Sequence, residues 1–131
     1  LDTSVCIDLL RETGRGEEGP ARQKLRSLGE TPIYAALFTV CELQTGVRLA
    51  KHQDQELQRL TGLLQRVTVL YPDESFSTLY GETAARLLSA GTPIPVMDLM
   101  IGILAKARSF PLLTRDRKHF ELIPGLVVET Y

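Results

Sequence analysis

Short apolar runs alternate with stretches of helical periodicity along most of this chain, and this alternation constrains its fold more than any other feature. Runs rich in β-branched and apolar residues predict strands at residues 32–37, 67–70, 111–114 and 126–129. Amphipathic patterns predict helices at residues 4–10, 21–28, 39–50, 55–66, 76–90 and 95–107. Strands that alternate with helices are typical of an α/β domain with a mainly parallel sheet.

The composition indicates one globular domain spanning residues 1–131. The chain is 44% hydrophobic and 24% charged, and it contains no repeat or linker. No apolar run reaches the roughly 18–20 residues that cross a bilayer, and no signal-peptide pattern is present, so we expect a cytoplasmic protein. The net charge of −1 argues against a surface that coats nucleic acid, but it does not exclude local contact with nucleic acid.

Cysteine and histidine are sparse. Cys6 and Cys41 lie among apolar neighbours, which predicts two buried, free thiols in a reducing compartment. His52 and His119 are isolated in the sequence, so we do not expect a zinc site.

Four acidic residues follow predicted strands or begin predicted helices: Asp2, Glu42, Asp98 and Asp116. Only Leu1 precedes Asp2, so we expect the sequence to begin inside a strand. In an open α/β sheet such positions converge on one edge, where ligands bind. Carboxylates that meet there need cations, and their oxygen atoms suit Mg²⁺ or Mn²⁺. Two such ions, about 4 Å apart, can activate water and stabilise the leaving oxygen in phosphodiester cleavage.

Each acid also has a purely structural interpretation. Glu42 would close a capping box that begins at Thr39. Asp98 would be a favourable charge at a helix N-terminus, Asp2 part of an N-cap and Asp116 an ordinary turn residue. Asp98 fits such a role least well, because it is the single charge in an otherwise apolar segment.

Four blocks of sequence resemble the motifs of PIN-domain nucleases, in order and spacing. The matching residues are Leu1-Asp2-Thr3-Ser4, Thr39-Val40-Cys41-Glu42, Asp98-Leu99-Met100-Ile101-Gly102 and Leu112-Leu113-Thr114-Arg115-Asp116. The resemblance spans residues 1–131 and is weak only from 52 to 92. In size and motifs the chain is most similar to VapC-type toxins of toxin–antitoxin pairs. It departs from the pattern in its truncated first strand and in Gly102, where a slightly larger small residue is usual.

The resemblance implies a three-layer α/β/α sandwich around a mainly parallel sheet. It also implies an endoribonuclease that depends on Mg²⁺ or Mn²⁺, forms a homodimer and is held inactive by a cognate antitoxin. Asp2 and Asp98 would bind metal directly, and Glu42 and Asp116 directly or through water. Alternatives that remain open are a PIN nuclease of RNA processing or decay and a catalytically silent PIN module that binds RNA or protein.

Further residues receive supporting roles. Ser4 and Thr114 would orient the carboxylates through their hydroxyl groups, or would serve only as a helix cap and a strand end. Basic residues beside the acids would hold the RNA backbone, or form a solvated charged surface: Arg11, Arg15, Arg115, Arg117 and Lys118. The apolar helices at residues 39–50 and 55–66 offer surface for a dimer or an antitoxin peptide.

Overall fold

The computed structural model describes residues 1–131, which form seven helices and four short strands. The helices are α1 (Thr3–Arg15), α2 (Pro20–Ser27), α3 (Leu37–Leu49), α4 (Gln53–Leu64), α5 (Phe76–Ser89), α6 (Val96–Ala107) and α7 (Arg117–Phe120). The strands are β1 (Tyr34–Ala36), β2 (Thr68–Leu70), β3 (Leu112–Leu113) and β4 (Val128–Glu129). Each predicted helix and strand is present, and a further one-turn helix, α7, lies where a turn is predicted.

The sheet consists of two parallel pairs joined by the first residues of the chain. Strand β1 pairs with β2, and β3 pairs with β4. The amino group of Leu1 donates a hydrogen bond to the Tyr34 carbonyl at 2.6 Å, and the Asp2 amide donates one to the Leu113 carbonyl at 3.0 Å. Asp2 therefore lies between the two pairs, where the backbone leaves the sheet and enters α1.

Helices cover both faces of this sheet. Neighbouring residues of a strand point to opposite faces. Leu112 packs in one hydrophobic cluster with residues of α5 and α6, whereas Leu113 packs in a second cluster with residues of α1, α3 and α4. The predicted α/β/α sandwich with a parallel sheet is thereby confirmed.

Helix α1 is longer than the predicted helix at residues 4–10. It ends at Arg15, and the positive φ of 66° at the C-cap Gly16 lets the Glu17 amide donate to the Glu12 carbonyl at 2.9 Å. The Glu12 carboxylate accepts hydrogen bonds from the amides of Ala21 and Arg22, at 3.0 and 2.8 Å. Glu12 thus caps α2, which begins at Pro20 and has no side-chain cap of its own.

The prediction that both thiols are buried is wrong for Cys41. Cys41 is exposed on α3, because this helix turns Leu43 and Val47 towards the core and presents a different face to solvent. Cys6 is buried, and burial raises the pKa of its thiol to about 12. A thiol that stays protonated at neutral pH is a poor nucleophile, so Cys6 has a packing role.

The core takes up most of the apolar surface that the sequence offers on α3 and α4. Leu43 and Val47 of α3 and Leu60 and Leu63 of α4 are buried in the cluster that also contains α1. At the end of α3, Leu49 is 82% exposed. No helix has the length and apolar character needed to span a membrane.

Candidate metal centre

Asp2 is a buried carboxylate held only by neutral groups. Its side chain is the N-cap of α1, and Oδ1 accepts a hydrogen bond from the Thr3 amide. Oδ2 accepts bonds from the Ser4 hydroxyl at 2.6 Å and the Thr114 hydroxyl at 2.8 Å. The residue is 4% exposed and forms no salt bridge. Because a buried charge is costly without a counter-charge, this carboxylate suits a bound cation. The N-cap interpretation of Asp2 is correct.

Asp98 lies in the first turn of α6 and contacts His119. Its Oδ2 lies 2.7 Å from Nδ1 of His119, which is 21 positions away in the sequence. Burial raises the pKa of Asp98 and the hydrogen bond from His119 opposes this rise, while the charges of Asp2 and Asp116 raise the pKa further. Asp2, Asp98 and Asp116 therefore share one electrostatic environment.

Glu42 is tied to the start of α1 rather than to the start of its own helix. Its Oε2 accepts a hydrogen bond from the Thr3 hydroxyl. The capping-box interpretation is wrong, because α3 begins at Leu37 with Ala36 as its N-cap and Thr39 therefore lies inside the helix. Thr3 follows Asp2 directly, so its hydroxyl places Glu42 beside the buried acid.

Asp116 is the N-cap of α7, where its Oδ1 accepts a hydrogen bond from the Lys118 amide at 3.0 Å. The Asp116 amide donates to the Thr114 hydroxyl at 3.0 Å, and the same hydroxyl donates to Asp2. Thr114 is fully buried. One threonine therefore joins the loop that bears Asp116 to the carboxylate of Asp2.

The four acids do not form a ligand cluster. No three Asp, Glu, His or Cys side chains converge closely enough to hold a metal as they stand. Each carboxylate instead accepts hydrogen bonds from groups of its own chain. The donor set is made of carboxylate oxygens with an excess of negative charge, which fits Mg²⁺ or Mn²⁺ and not a thiolate-bound metal.

Most of the basic residues predicted to hold RNA are paired with acids. Four of them lie within 4.0 Å of a carboxylate, in the pairs Arg11–Asp8, Arg15–Glu17, Arg115–Asp8 and Arg117–Glu121. Lys118, in contrast, forms no salt bridge. Arg11 and Arg15 line a cleft of about 550 Å³ together with Glu42.

Sequence reasoning missed three residues that support the acids: Thr3, Asp8 and His119. The Asp8 carboxylate accepts hydrogen bonds from the Arg115 guanidinium at 2.8 and 2.9 Å and from the Tyr131 hydroxyl at 2.8 Å. Thr3 belongs to the first motif block, so its position was a usable signal. Nothing in the sequence marks the pairing of His119 with Asp98, 21 residues away.

Comparison with known proteins identifies a single family. The PIN domain family matches residues 1–126. The tRNA(fMet)-specific endonuclease VapC of Shigella flexneri is 27% identical over 132 residues, covering 100% of this chain and 96% of that protein. Ribonuclease VapC1 of Haemophilus influenzae strain R2866 is 29% identical over 126 residues, covering 96% of this chain and 92% of that protein.

Solved structures show the same likeness. VapBC2 from Rickettsia felis, bound to a DNA fragment from their promoter, matches with a TM-score of 0.87 and 26% identity, covering 98% of this chain and 94% of that one. VapBC-1 from nontypeable Haemophilus influenzae matches with a TM-score of 0.84 and 27% identity, at the same coverage of 98% and 94%. The resemblance found in the sequence is confirmed, and the chain belongs to the PIN domain family.

Proposed function

We propose that this protein is a metal-dependent endoribonuclease that acts as the toxin of a toxin–antitoxin pair. The observation that carries the proposal is the Asp2 carboxylate, which is buried among neutral donors beside Asp98 and Asp116. The relatives support it, since proteins that match this chain over nearly their whole length are named as VapC ribonucleases. Residues 1–131 would form one catalytic domain.

Asp2 and Asp98 are the proposed direct ligands of Mg²⁺ or Mn²⁺, with Glu42 and Asp116 bound directly or through water. When bound, the ion supplies Lewis-acid stabilisation of phosphate oxygens and activates water for hydrolysis of the phosphodiester bond. The chain itself contributes oriented carboxylates and needs no covalent nucleophile.

Three hydroxyl groups hold these carboxylates in place. Ser4 and Thr114 donate to the same oxygen of Asp2, and Thr3 donates to Glu42. Donors that are fixed in this way keep an oxygen from rotating out of a ligand position, which is how outer residues tune a metal site. These residues are positioning residues in the proposal.

The basic side chain best placed to hold RNA is Lys118. It follows Asp116 by two residues, is exposed and has no carboxylate partner. Arg115 and Arg117 each give up an exposed ion pair, with Asp8 or Glu121, when they bind a phosphate, which lowers their net contribution by up to about 1 kcal/mol. Lys118 therefore carries the local contact with the backbone near the acids.

The proposed partners are a cognate antitoxin and a second copy of the chain. The solved VapBC structures that match this fold support an antitoxin partner. Several large apolar side chains remain exposed and offer surface for association: Leu49, Tyr71, Leu88, Val96 and Val127. Light scattering of the purified protein tests the dimer, and a monomer at every concentration would contradict it.

Expression in living cells tests the toxin role. The wild type should arrest growth, Asp98→Asn should not, and co-expression of the neighbouring short reading frame should restore growth. RNA cleavage without growth arrest would favour a nuclease of RNA processing or decay. Arrest that persists in the Asp98→Asn variant would contradict the proposed catalytic site.

A further inference from the structure

We infer that His119 is a positioning residue that fixes the carboxylate of Asp98 for cation binding, an inference that rests on the proposed function. Nδ1 of His119 lies 2.7 Å from Oδ2 of Asp98. No protein group donates a hydrogen bond to the other oxygen, Oδ1, so this oxygen is free for a ligand bond. The imidazole thus forms a hydrogen bond with one oxygen of Asp98 and leaves the second oxygen available to a cation.

Helix α7 places His119 beside Asp98. The helix begins at the N-cap Asp116, and His119 follows three residues later, so both lie on the same side of its single turn. Phe120 and Ile123, each 2% exposed, anchor the segment in the hydrophobic core against α6. The anchored turn therefore carries Asp116, which is one acid of the site, and His119, which is the hydrogen-bond partner of Asp98.

A glycine on α6 sets the close approach of the two segments. Gly102 lies one turn after Asp98 and so faces the same neighbour. A Cβ atom at Gly102 would lie 2.3 Å from Cδ1 of Ile123 and 3.4 Å from Cδ1 of Phe120. The missing side chain lets Ile123 and Phe120 pack directly on α6. The absent side chain of Gly102 is what admits the segment that carries His119.

Fixing this acid is necessary because its surroundings disfavour its charge. Asp2 and Asp116 repel the Asp98 carboxylate, and both side chains of the His119–Asp98 pair are partly open to solvent, at 31% and 28% exposure. A partly exposed aspartate has several staggered rotamers open to it. A hydrogen bond from a ring that packing holds in place selects one of them.

The experiment compares variants that separate hydrogen bonding from packing. His119→Ala and the bulkier His119→Leu both remove the donor. His119→Asn places an amide N–H close to the position of Nδ1 and so restores the hydrogen-bond donor. His52→Ala, at the other histidine of the chain, is the matched control, because His52 is exposed and precedes α4. Mn²⁺ affinity is measured on the protein without RNA by electron paramagnetic resonance, and thermal melts in EDTA confirm that each variant folds.

We expect His119→Ala and His119→Leu to bind Mn²⁺ about 10–100-fold more weakly than the wild type. His119→Asn and His52→Ala should bind Mn²⁺ as the wild type does. Cleavage of RNA by the two donor-less variants should recover at high Mn²⁺ concentration, a rescue that a loss of packing alone does not give.

Three results would overturn the inference. If the donor-less variants bind Mn²⁺ like the wild type, His119 has only a packing role, and the proposed function stands. If His119→Asn binds as weakly as His119→Leu, the imidazole contributes more than its hydrogen bond and is itself a ligand. If the wild type binds no Mn²⁺, the proposed function fails and the inference fails with it.

Discussion

The Thr114 hydroxyl donates a hydrogen bond of 2.8 Å to Oδ2 of Asp2, although 112 positions separate the two residues. This bond joins the end of β3 to the beginning of α1 at the buried centre of the candidate site. The same hydroxyl accepts a bond from the Asp116 amide, so one side chain sets the distance between two of the four acids.

Thr114→Val should therefore reduce both stability and cleavage. Valine keeps the shape of threonine and removes the hydroxyl, which leaves the Asp116 amide without its acceptor and takes one of two hydroxyl donors from Oδ2 of the buried Asp2. The free energy of unfolding should fall by about 1–3 kcal/mol. The measurement is urea denaturation, with Thr83→Val in α5 as a control at a buried threonine outside the site. Equal losses in the two variants would contradict a special role for Thr114.

Asp98→Asn should abolish cleavage and leave the metal-free protein at least as stable as the wild type. Burial and the charges of Asp2 and Asp116 raise the pKa of Asp98 in the folded protein. A carboxyl whose pKa is higher in the folded than in the unfolded protein destabilises the fold at pH values above the unfolded pKa, which is about 4 for aspartate. This destabilisation disappears as the pH falls below that value. Asparagine removes the cost at neutral pH, a gain of at most about 1 kcal/mol because solvent screens the partly exposed group.

Thermal melts at pH 7 and pH 3.5 in EDTA check this sign. The variant should melt higher than the wild type at pH 7, and the difference should shrink at the lower pH. Added Mn²⁺ should reverse the order at pH 7, since the ion stabilises by mass action the protein that binds it. If the variant melts lower than the wild type in EDTA, the charge of Asp98 chiefly stabilises the N-terminus of α6.

Gly102→Ala should destabilise the fold by about 1–3 kcal/mol, because the new Cβ would overlap Cδ1 of the buried Ile123. Gly46→Ala on α3 is the control: its Cβ meets nothing within 4 Å, and alanine favours helix by up to about 1 kcal/mol. Adding Ile123→Val removes the overlapping methyl group. The double variant should lose less stability than the sum of the two single changes, as measured in chemical denaturation.

Lys118→Ala should weaken RNA binding and reduce its dependence on salt. Removing one phosphate contact lowers the slope of log affinity against log salt concentration by about 0.7 for single-stranded RNA. Arg117→Ala should change the slope less, because Arg117 is already paired with Glu121. Fluorescence anisotropy on the cleavage-deficient Asp98→Asn background gives both slopes. A larger change for Arg117 would contradict the assignment.

The sequence predicted the fold well because its signals are local. Each helix and strand comes from a periodic pattern, and the alternation of the two determines the layers. Asp2, Asp98 and Asp116 were predicted in the same way, since each caps or begins a helix, whereas Glu42 lies in the second turn of α3. The positions of Asp2, Asp98 and Asp116 beside one another agree with that reasoning.

Contacts between distant segments could not be predicted in this way. The pairing of His119 with Asp98 depends on how closely α7 approaches α6, which the packing of Ile123 on Gly102 determines. The capping-box interpretation of Glu42 failed because the helix starts at Leu37, two residues before Thr39. A shift of this size at a helix end changes which residues can cap it.

Cleavage of RNA by the purified protein tests the central claim most directly. Structured RNA is incubated with the wild type and with Asp98→Asn, each in Mg²⁺ or Mn²⁺ and again in EDTA. The proposed function predicts cuts by the wild type with metal, none in EDTA, recovery when metal is restored, and none by Asp98→Asn in any condition. Cleavage that persists undiminished in EDTA, or that Asp98→Asn retains, would contradict it.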